Sequence, residues 1–256
     1  MSPEPRPDGR RPDEMRPVTI ETGVIKHAEG SALIKVGDTQ VLCAASVEDR
    51  VPPFLRDANQ GWVTAEYAML PRATRERTQR ESTRGKPSGR SQEIQRLVGR
   101  SLRTVVDMNA IGARTIWLDC DVIQADGGTR CASITGAWVA LAQALGFIRE
   151  RGVLIRPPLT GMVAAVSVGR VGGEARIDLD FDEDSTAAVD MNVVRTDAGR
   201  YIEIQGTAEK TPFSREDLDG LLTLADAGTD DLFEIQRRAV GPLIDRILRA
   251  PEPKAV

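Results

Sequence analysis

The stretch Thr115-Ile116-Trp117-Leu118-Asp119-Cys120-Asp121-Val122-Ile123 runs into Gln124-Ala125-Asp126-Gly127-Gly128-Thr129-Arg130, and this junction decides the fold. Its first nine residues are rich in β-branched and apolar types and read as a strand. After Arg130 an Ala-rich segment places Ile134, Trp138, Leu141 and Leu145 on one face of a helix. The junction is therefore a strand-to-helix turn, where unpaired backbone N–H groups and the positive end of the helix dipole attract anions. Gly127 and Gly128 leave room for the main chain to approach a ligand. Thr129 adds a hydroxyl donor, and Arg130 a planar fork matched to phosphate oxygens. Alone, such a motif reads as a glycine turn followed by a solvated arginine; two remote features change the reading.

Those features are charge poles hidden in a mild average. The 256-residue chain has a formal net charge of −4 and a pI near 5.3, which by itself argues against nucleic acid. Between Arg72 and Arg103, however, ten Lys/Arg face three Asp/Glu, an excess of seven positive charges. Between Glu174 and Asp190, seven acids face Arg176 alone. A site that handles phosphate groups with a metal ion can use both poles.

Hydrophobic residues make up 41% of the chain, enough for a core in one large domain or two halves sharing one. Cys43, Cys120 and Cys131 form no CxxC pair and lie in apolar segments, as buried free thiols of a reducing compartment do. With His27 as the one histidine, zinc centres and Ser-His-Asp chemistry are disfavoured. The Pro- and Arg-rich N-terminus has no apolar core region of a signal peptide, and no apolar run is expected to span a membrane. The expectation is a soluble cytoplasmic protein without a membrane partner.

Outward from the junction, residues 1–12 read as a mobile, charged arm and residues 250–256 as a frayed tail. The first half, residues 13–155, predicts strands at Val18–Glu21, Ala32–Val36, Gln40–Val47 and Trp62–Ala68, the second and third joined by a Gly37-Asp38 hairpin. Pro71 to Arg90 predicts a long, basic, irregular loop, of the length that is usually functional. A helix follows from Ser91, with Ile94, Leu97, Val98, Leu102 and Val105 inward and Arg96, Arg100 and Arg103 outward. Arg90 stands at its entry, where it could lean over a ligand.

The second half, residues 156–249, predicts strands at Met162–Val168, Ala175–Phe181, Val189–Val194 and Tyr201–Gln205. A capping box at Ser214/Asp217 opens a helix to about Ala227, and a second amphipathic helix carries Leu232 to Ile247. Each half reads as four strands, then helices, which suggests a duplicated α/β unit.

In the acidic segment, Asp178, Asp180 and Asp182 alternate and predict one carboxylate-bearing strand face. A calcium loop starting at Asp178 fails, because Glu183 stands where Gly is needed and Val189 where the last ligand falls. Two carboxylates beside a strand end suit Mg²⁺, which leaves coordination positions to water and substrate phosphate. Asp190 is hardest to read as mere solvated charge, since it interrupts an apolar strand.

The blocks Gly61–Thr74, Ser88-Gly89-Arg90, Ile116–Gly136, Glu183-Asp184-Ser185, Val189–Val194 and Glu203–Thr207 together resemble the bacterial RNase PH family, phosphate-dependent exoribonucleases that trim tRNA 3′ ends. The resemblance covers nearly the whole chain. It implies a duplicated βαβα unit like domain 2 of ribosomal protein S5, in the mixed α/β (α+β) class, assembled as a homohexameric trimer of dimers. It implies inorganic phosphate held by Arg90, Gly128, Thr129 and Arg130, and Mg²⁺ at the catalytic pair Asp184 and Asp190. It further implies tRNA contacts from Arg72, Arg77 and Arg80, with Arg75 less defined. The implied partners are tRNA precursors and other RNA 3′ ends, not DNA. The implied reaction is 3′→5′ phosphorolysis beyond the CCA end, releasing nucleoside diphosphates.

Two rival readings are weaker. A non-catalytic exosome-like subunit would lack the phosphate arginine or the aspartates. A P-loop nucleotide hydrolase would need G-x-x-x-x-G-K-[ST], but Gly85-Lys86 is followed by Pro87 and position 80 is Arg. Aromatics are 4% of the chain, so RNA grip by base stacking is disfavoured against arginine–phosphate contact.

Overall fold

The computed structural model describes residues 5–154 and 156–248. The tail and the first four residues of the arm fall outside these. Two sheets sandwich one helix. The first sheet has strands β1 (Val18–Thr22), β2 (Gly30–Val36), β3 (Thr39–Glu48), β4 (Trp62–Met69) and β5 (Thr115–Gln124), in the order β1-β2-β3-β5-β4. All neighbours are antiparallel except β4 with β5. The second sheet is antiparallel, with β6 (Val163–Val171), β7 (Glu174–Ile177), β8 (Val189–Thr196) and β9 (Tyr201–Ala208) in the order β7-β6-β8-β9.

The helices are α1 (Glu81–Arg84), α2 (Gly89–Arg103), α3 (Met108–Ile111), α4 (Thr129–Glu150), α5 (Phe181–Thr186), α6 (Arg215–Val240) and α7 (Ile244–Ile247). Alpha-four is the central element: it packs on β2, β3 and β5 on one side and on β6 and α6 on the other. It is consequently apolar all round rather than on the single expected face, as a fully enclosed helix must be. By length and composition α4 would also pass for a membrane span, contrary to the expectation that no segment reaches that length, but 89% of its apolar window is buried in the protein. Trp138 at its middle is fully buried, and its indole N–H donates to the Gly161 carbonyl at 3.3 Å. Gln236 of α6, also fully buried, donates to Thr135 O at 2.9 Å and Val163 O at 3.0 Å, tying α4 to the second sheet.

Three expectations are corrected. The predicted strand Ala175–Phe181 stops at Ile177, because Asp178 adopts φ +51° and Asp180 caps α5. The capping box at Ser214/Asp217 is present, but it opens one continuous helix to Val240 instead of two: Gly228, just past Ala227, stays helical and packs closely on Ile177, and the break comes at Gly241-Pro242. Residues 5–12, expected as a mobile arm, are docked on the second half. Arg6 is 4% exposed and its guanidinium donates to Asp178 O at 2.9 Å and Glu183 Oε2 at 2.7 Å. A buried guanidinium is tolerated only with such partners.

Candidate active site

Beta-five delivers the chain to Asp126, and two left-handed glycines, Gly127 (φ +75°) and Gly128 (φ +68°), turn it into α4. Apart from Gly, few residues adopt this conformation cheaply. The close approach that Gly127 permits is to the protein itself, not to a ligand as expected: a Cβ there would lie 2.4 Å from the Leu179 carbonyl. At Gly128 a Cβ would lie 3.4 Å from an Arg16 nitrogen. The turn is also pinned by fully buried Thr39, whose hydroxyl donates to Gly127 O at 2.6 Å and accepts from Asp126 N at 2.9 Å.

Thr129 begins α4, and its hydroxyl lies 3.0 Å from that of Tyr67 on β4. Arg130 extends across to β9, donating to Gln205 Oε1, with Glu93 of α2 at 3.8 Å. Arg90 is exposed at the start of α2, behind the Ser88 cap that accepts from Ser91 N at 3.1 Å. Glu81 orders this entry by accepting from Ser88 N (3.1 Å) and Ser91 Oγ (2.5 Å). The loop before it is thus less irregular than its composition predicts.

The acidic pole lies opposite. Asp190, second in β8, has a carboxyl pushed up to about 6, first by burial and then by the charge of Asp184, with Arg130 and Arg90 partly offsetting. Asp184 sits on α5; although the residue is exposed as a whole, crowding of its carboxyl raises it too, against the pull of Arg90, Arg130 and a hydrogen-bonding contact with Asp190. Glu209, just past β9, pushes both upward. Arginines 90 and 130 therefore act electrostatically on the same two aspartates, although the poles are far apart in the chain. Neither aspartate has an ion-pair partner within 4.0 Å among the described residues.

A buried network holds the two poles in register. Asp178 accepts from Arg16 N (2.8 Å), Arg16 Nε (2.9 Å) and Arg16 Nη2 (2.7 Å). The same guanidinium donates to Asp126 O and stands 3.6 Å from the Asp126 carboxylate. Glu183, on the buried side of α5, is clasped between Arg6 and Arg176, the latter at 3.0 Å. The acids once expected on one strand face thus separate: Asp178 is structural, Asp180 caps α5 by accepting from Glu183 N at 2.9 Å, and Asp182 pairs with Arg75 at 2.9 Å on the surface. Sequence reasoning missed Arg16, Tyr67, Gln205 and Glu209. Tyr67 continues the inward alternation of Val63 and Ala65, so no local signal marks it.

Arg72, Arg77 and Arg80 lie on the exposed loop after β4. Arg72 donates to Arg75 O at 3.1 Å, and Arg75 stacks 5.2 Å over the Phe181 ring, which lays the loop beside α5. Cys131, fully enclosed, donates its thiol to Asn192 Oδ1 at 3.2 Å, a packing role.

Comparison with known proteins places this geometry. Residues 14–145 match the first domain, and residues 161–228 the second domain, of the 3′ exoribonuclease family RNase_PH. The chain is 58% identical over 242 residues to the ribonuclease PH of Moorella thermoacetica, covering 94% of this chain and 97% of that one. It is 58% identical over 238 residues to the ribonuclease PH of Bacillus subtilis, covering 92% and 97%. Among solved structures, an Archaeoglobus fulgidus exosome with RNA bound to its active site superposes with a TM-score of 0.75 at 24% identity, covering 90% of this chain and 92% of that one. Rice Rrp46 superposes with a TM-score of 0.73 at 20% identity, covering 92% and 100%. At such identities these two speak to the fold.

Proposed function

The chain belongs to the RNase PH family of 3′ exoribonucleases, and from that premise we propose that the cleft between the α4 N-terminus and α5 performs phosphorolysis of RNA 3′ ends. The enzyme is a phosphate-dependent 3′→5′ exoribonuclease and nucleotidyltransferase, trimming nucleotides beyond the CCA end of tRNA precursors and releasing nucleoside diphosphates. The observation that carries this reading at residue level is that Arg90 and Arg130 both bear on Asp184 and Asp190. Arginines suited to an anion and carboxylates suited to a divalent cation thus lie near one another.

Phosphate, the nucleophile, is already anionic at neutral pH, so no histidine base is needed. The obstacle is bringing two anions together. Arg90, Arg130, the first-turn amides of α4 and the Thr129 hydroxyl bind and orient the attacking phosphate, converting an encounter into a positioned displacement. The 3′-terminal phosphodiester lies toward Asp184 and Asp190. The attacking oxygen forms a bond to phosphorus as the bond to the penultimate 3′ oxygen breaks, leaving a nucleoside diphosphate and RNA one unit shorter. One phosphoester linkage replaces another, so the step runs both ways.

Asp184 and Asp190 fit a hard divalent cation, being two carboxylates in contact whose repulsion such an ion would relieve. Two carboxylates would leave the remaining positions of Mg²⁺ to substrate phosphate and water. When bound, Mg²⁺ supplies charge neutralisation at the scissile linkage and the departing oxygen. Arg72, Arg77 and Arg80 grip the tRNA backbone, a contact that positions without reading sequence. A homohexameric ring in the cytoplasm, acting on RNA and not DNA, completes the proposal. Replacing Arg130 by Ala tests it: turnover should fall roughly 10²- to 10³-fold at fixed phosphate with RNA affinity nearly retained. Loss of RNA binding with unchanged phosphate dependence would contradict the assignment.

A further inference from the structure

Tyr67 stands behind the phosphate loop and has not been given a part in the reaction. It lies on the core face of β4, 3% exposed, with its hydroxyl 3.0 Å from Thr129 Oγ1. Either oxygen could donate across that distance, but the surroundings decide. Among the described residues neither hydroxyl has another hydrogen-bond partner. Both hydroxyls are buried, and an unsatisfied buried donor is penalised more than a made bond is rewarded. If the Thr129 proton goes to a bound phosphate, both protons are satisfied only with Tyr67 donating to Thr129 Oγ1. A threonine hydroxyl has one proton and two lone pairs. With one lone pair engaged by Tyr67, the Thr129 proton is left for another acceptor, in the neighbourhood of Arg90 and Arg130, both of which act electrostatically on the Tyr67 hydroxyl. Gln95 of α2 reaches the Tyr67 carbonyl at 3.5 Å, so the strand position is held from the same helix that carries Arg90.

We propose that Tyr67 is a positioning residue for phosphorolysis: its hydroxyl fixes the rotamer of the Thr129 hydroxyl so that Thr129 donates to the attacking phosphate. Tyr67 touches no substrate. This rests on Thr129 binding phosphate, and it extends the site one residue behind the loop to a strand that sequence reading treats as scaffold. Because Tyr67 acts through Thr129, its effect belongs to phosphate and not to RNA, and it vanishes when Thr129 has no hydroxyl.

The test is a double-mutant cycle read in the KM for inorganic phosphate, with a short single-stranded RNA as substrate and thermal unfolding as control. Tyr67→Phe, which keeps the ring and its packing, should raise the phosphate KM about three- to tenfold, the scale of one neutral hydrogen bond, with the RNA KM unchanged. In a Thr129→Ala background the same substitution should change the phosphate KM less than twofold. Thr129→Ser, which restores a hydroxyl, should restore sensitivity to Tyr67→Phe. An unchanged phosphate KM in Tyr67→Phe, or an equal rise with and without the Thr129 hydroxyl, overturns the positioning role. If Thr129→Ala itself leaves the phosphate KM unchanged, the phosphate assignment of the loop fails, and this inference with it.

Discussion

Arg6, Arg10 and Arg16 in the N-terminal segment look much like Arg72, Arg77 and Arg80 in the loop after β4, yet they end in opposite surroundings. The first three are sunk among Asp178, Asp180 and Glu183, with Arg6 and Glu183 almost wholly buried. The second three stand in solvent. The difference lies in what each set meets. The N-terminal arginines answer carboxylates of the second half that would otherwise be buried uncompensated, so they hold the acid helix against the phosphate loop. The loop arginines pair with no carboxylate among the described residues, Arg72 meeting only the Arg75 carbonyl. One set braces the cleft from within, and the other carries the proposed RNA contact.

The largest expected effect separates these roles. Arg16→Ala leaves Asp178 buried without its main partner and should lower unfolding free energy by about 3–5 kcal/mol, the usual outcome of removing one member of a buried pair. Urea denaturation checks it; a loss below about 1 kcal/mol would put Arg16 with the surface arginines.

Asp190 sharpens the contrast from the carboxylate side, because no arginine clasps it. Its folded value, about 6, lies above the ordinary 3.8, so the folded state holds the proton more tightly. Stability from this group is present at acid pH and is lost as pH rises through roughly 4 to 6. In chelator-containing buffer near pH 7.5, Asp190→Asn should therefore be inactive yet more stable than the parent by roughly 1.5 kcal/mol, about half of the full linkage value, allowing for solvent screening. Its stability should also lose most of the decline between pH 4 and 6. An Asn variant less stable at neutral pH would refute the burial argument.

Arg77→Ala belongs to the exposed set. It should weaken tRNA binding about three- to fivefold, lower the salt slope by about one counterion and spare short single-stranded RNA. Filter binding across salt concentrations measures this; a stability loss instead would erase the distinction. Smallest is Arg75→Ala. The pair with Asp182 is exposed and screened by solvent, so its unfolding midpoint should scarcely move.

This contrast also marks how far the sequence can be read. Strands β1 to β5 and the Ser214/Asp217 cap follow from local alternation and turn chemistry, and the structure has them within a few residues. The strand-to-helix turn at Gly127-Gly128 and the place of Arg90 at the entry of α2 are legible because both are local to a helix start. What is not legible depends on partners more than a hundred residues away. Arg16 reaches Asp178 across 162 positions and Arg6 reaches Glu183 across 177, so neither shows as more than a charge in a Pro-rich arm. The strand expected through Asp182 fails for the same reason: alternation favours it, but the left-handed turn at Asp178 is set by Arg16 and Arg10. Tyr67 is hidden among ordinary core positions of β4.

The central claim is that phosphate itself attacks RNA in the cleft between these poles. Its most direct measurement follows the products released from a tRNA carrying extra 3′ nucleotides, with and without inorganic phosphate. The account predicts nucleoside diphosphates only when phosphate is present, with shortening that halts near the mature end. Nucleoside monophosphates released in phosphate-free buffer would mean that water is the nucleophile and would contradict it.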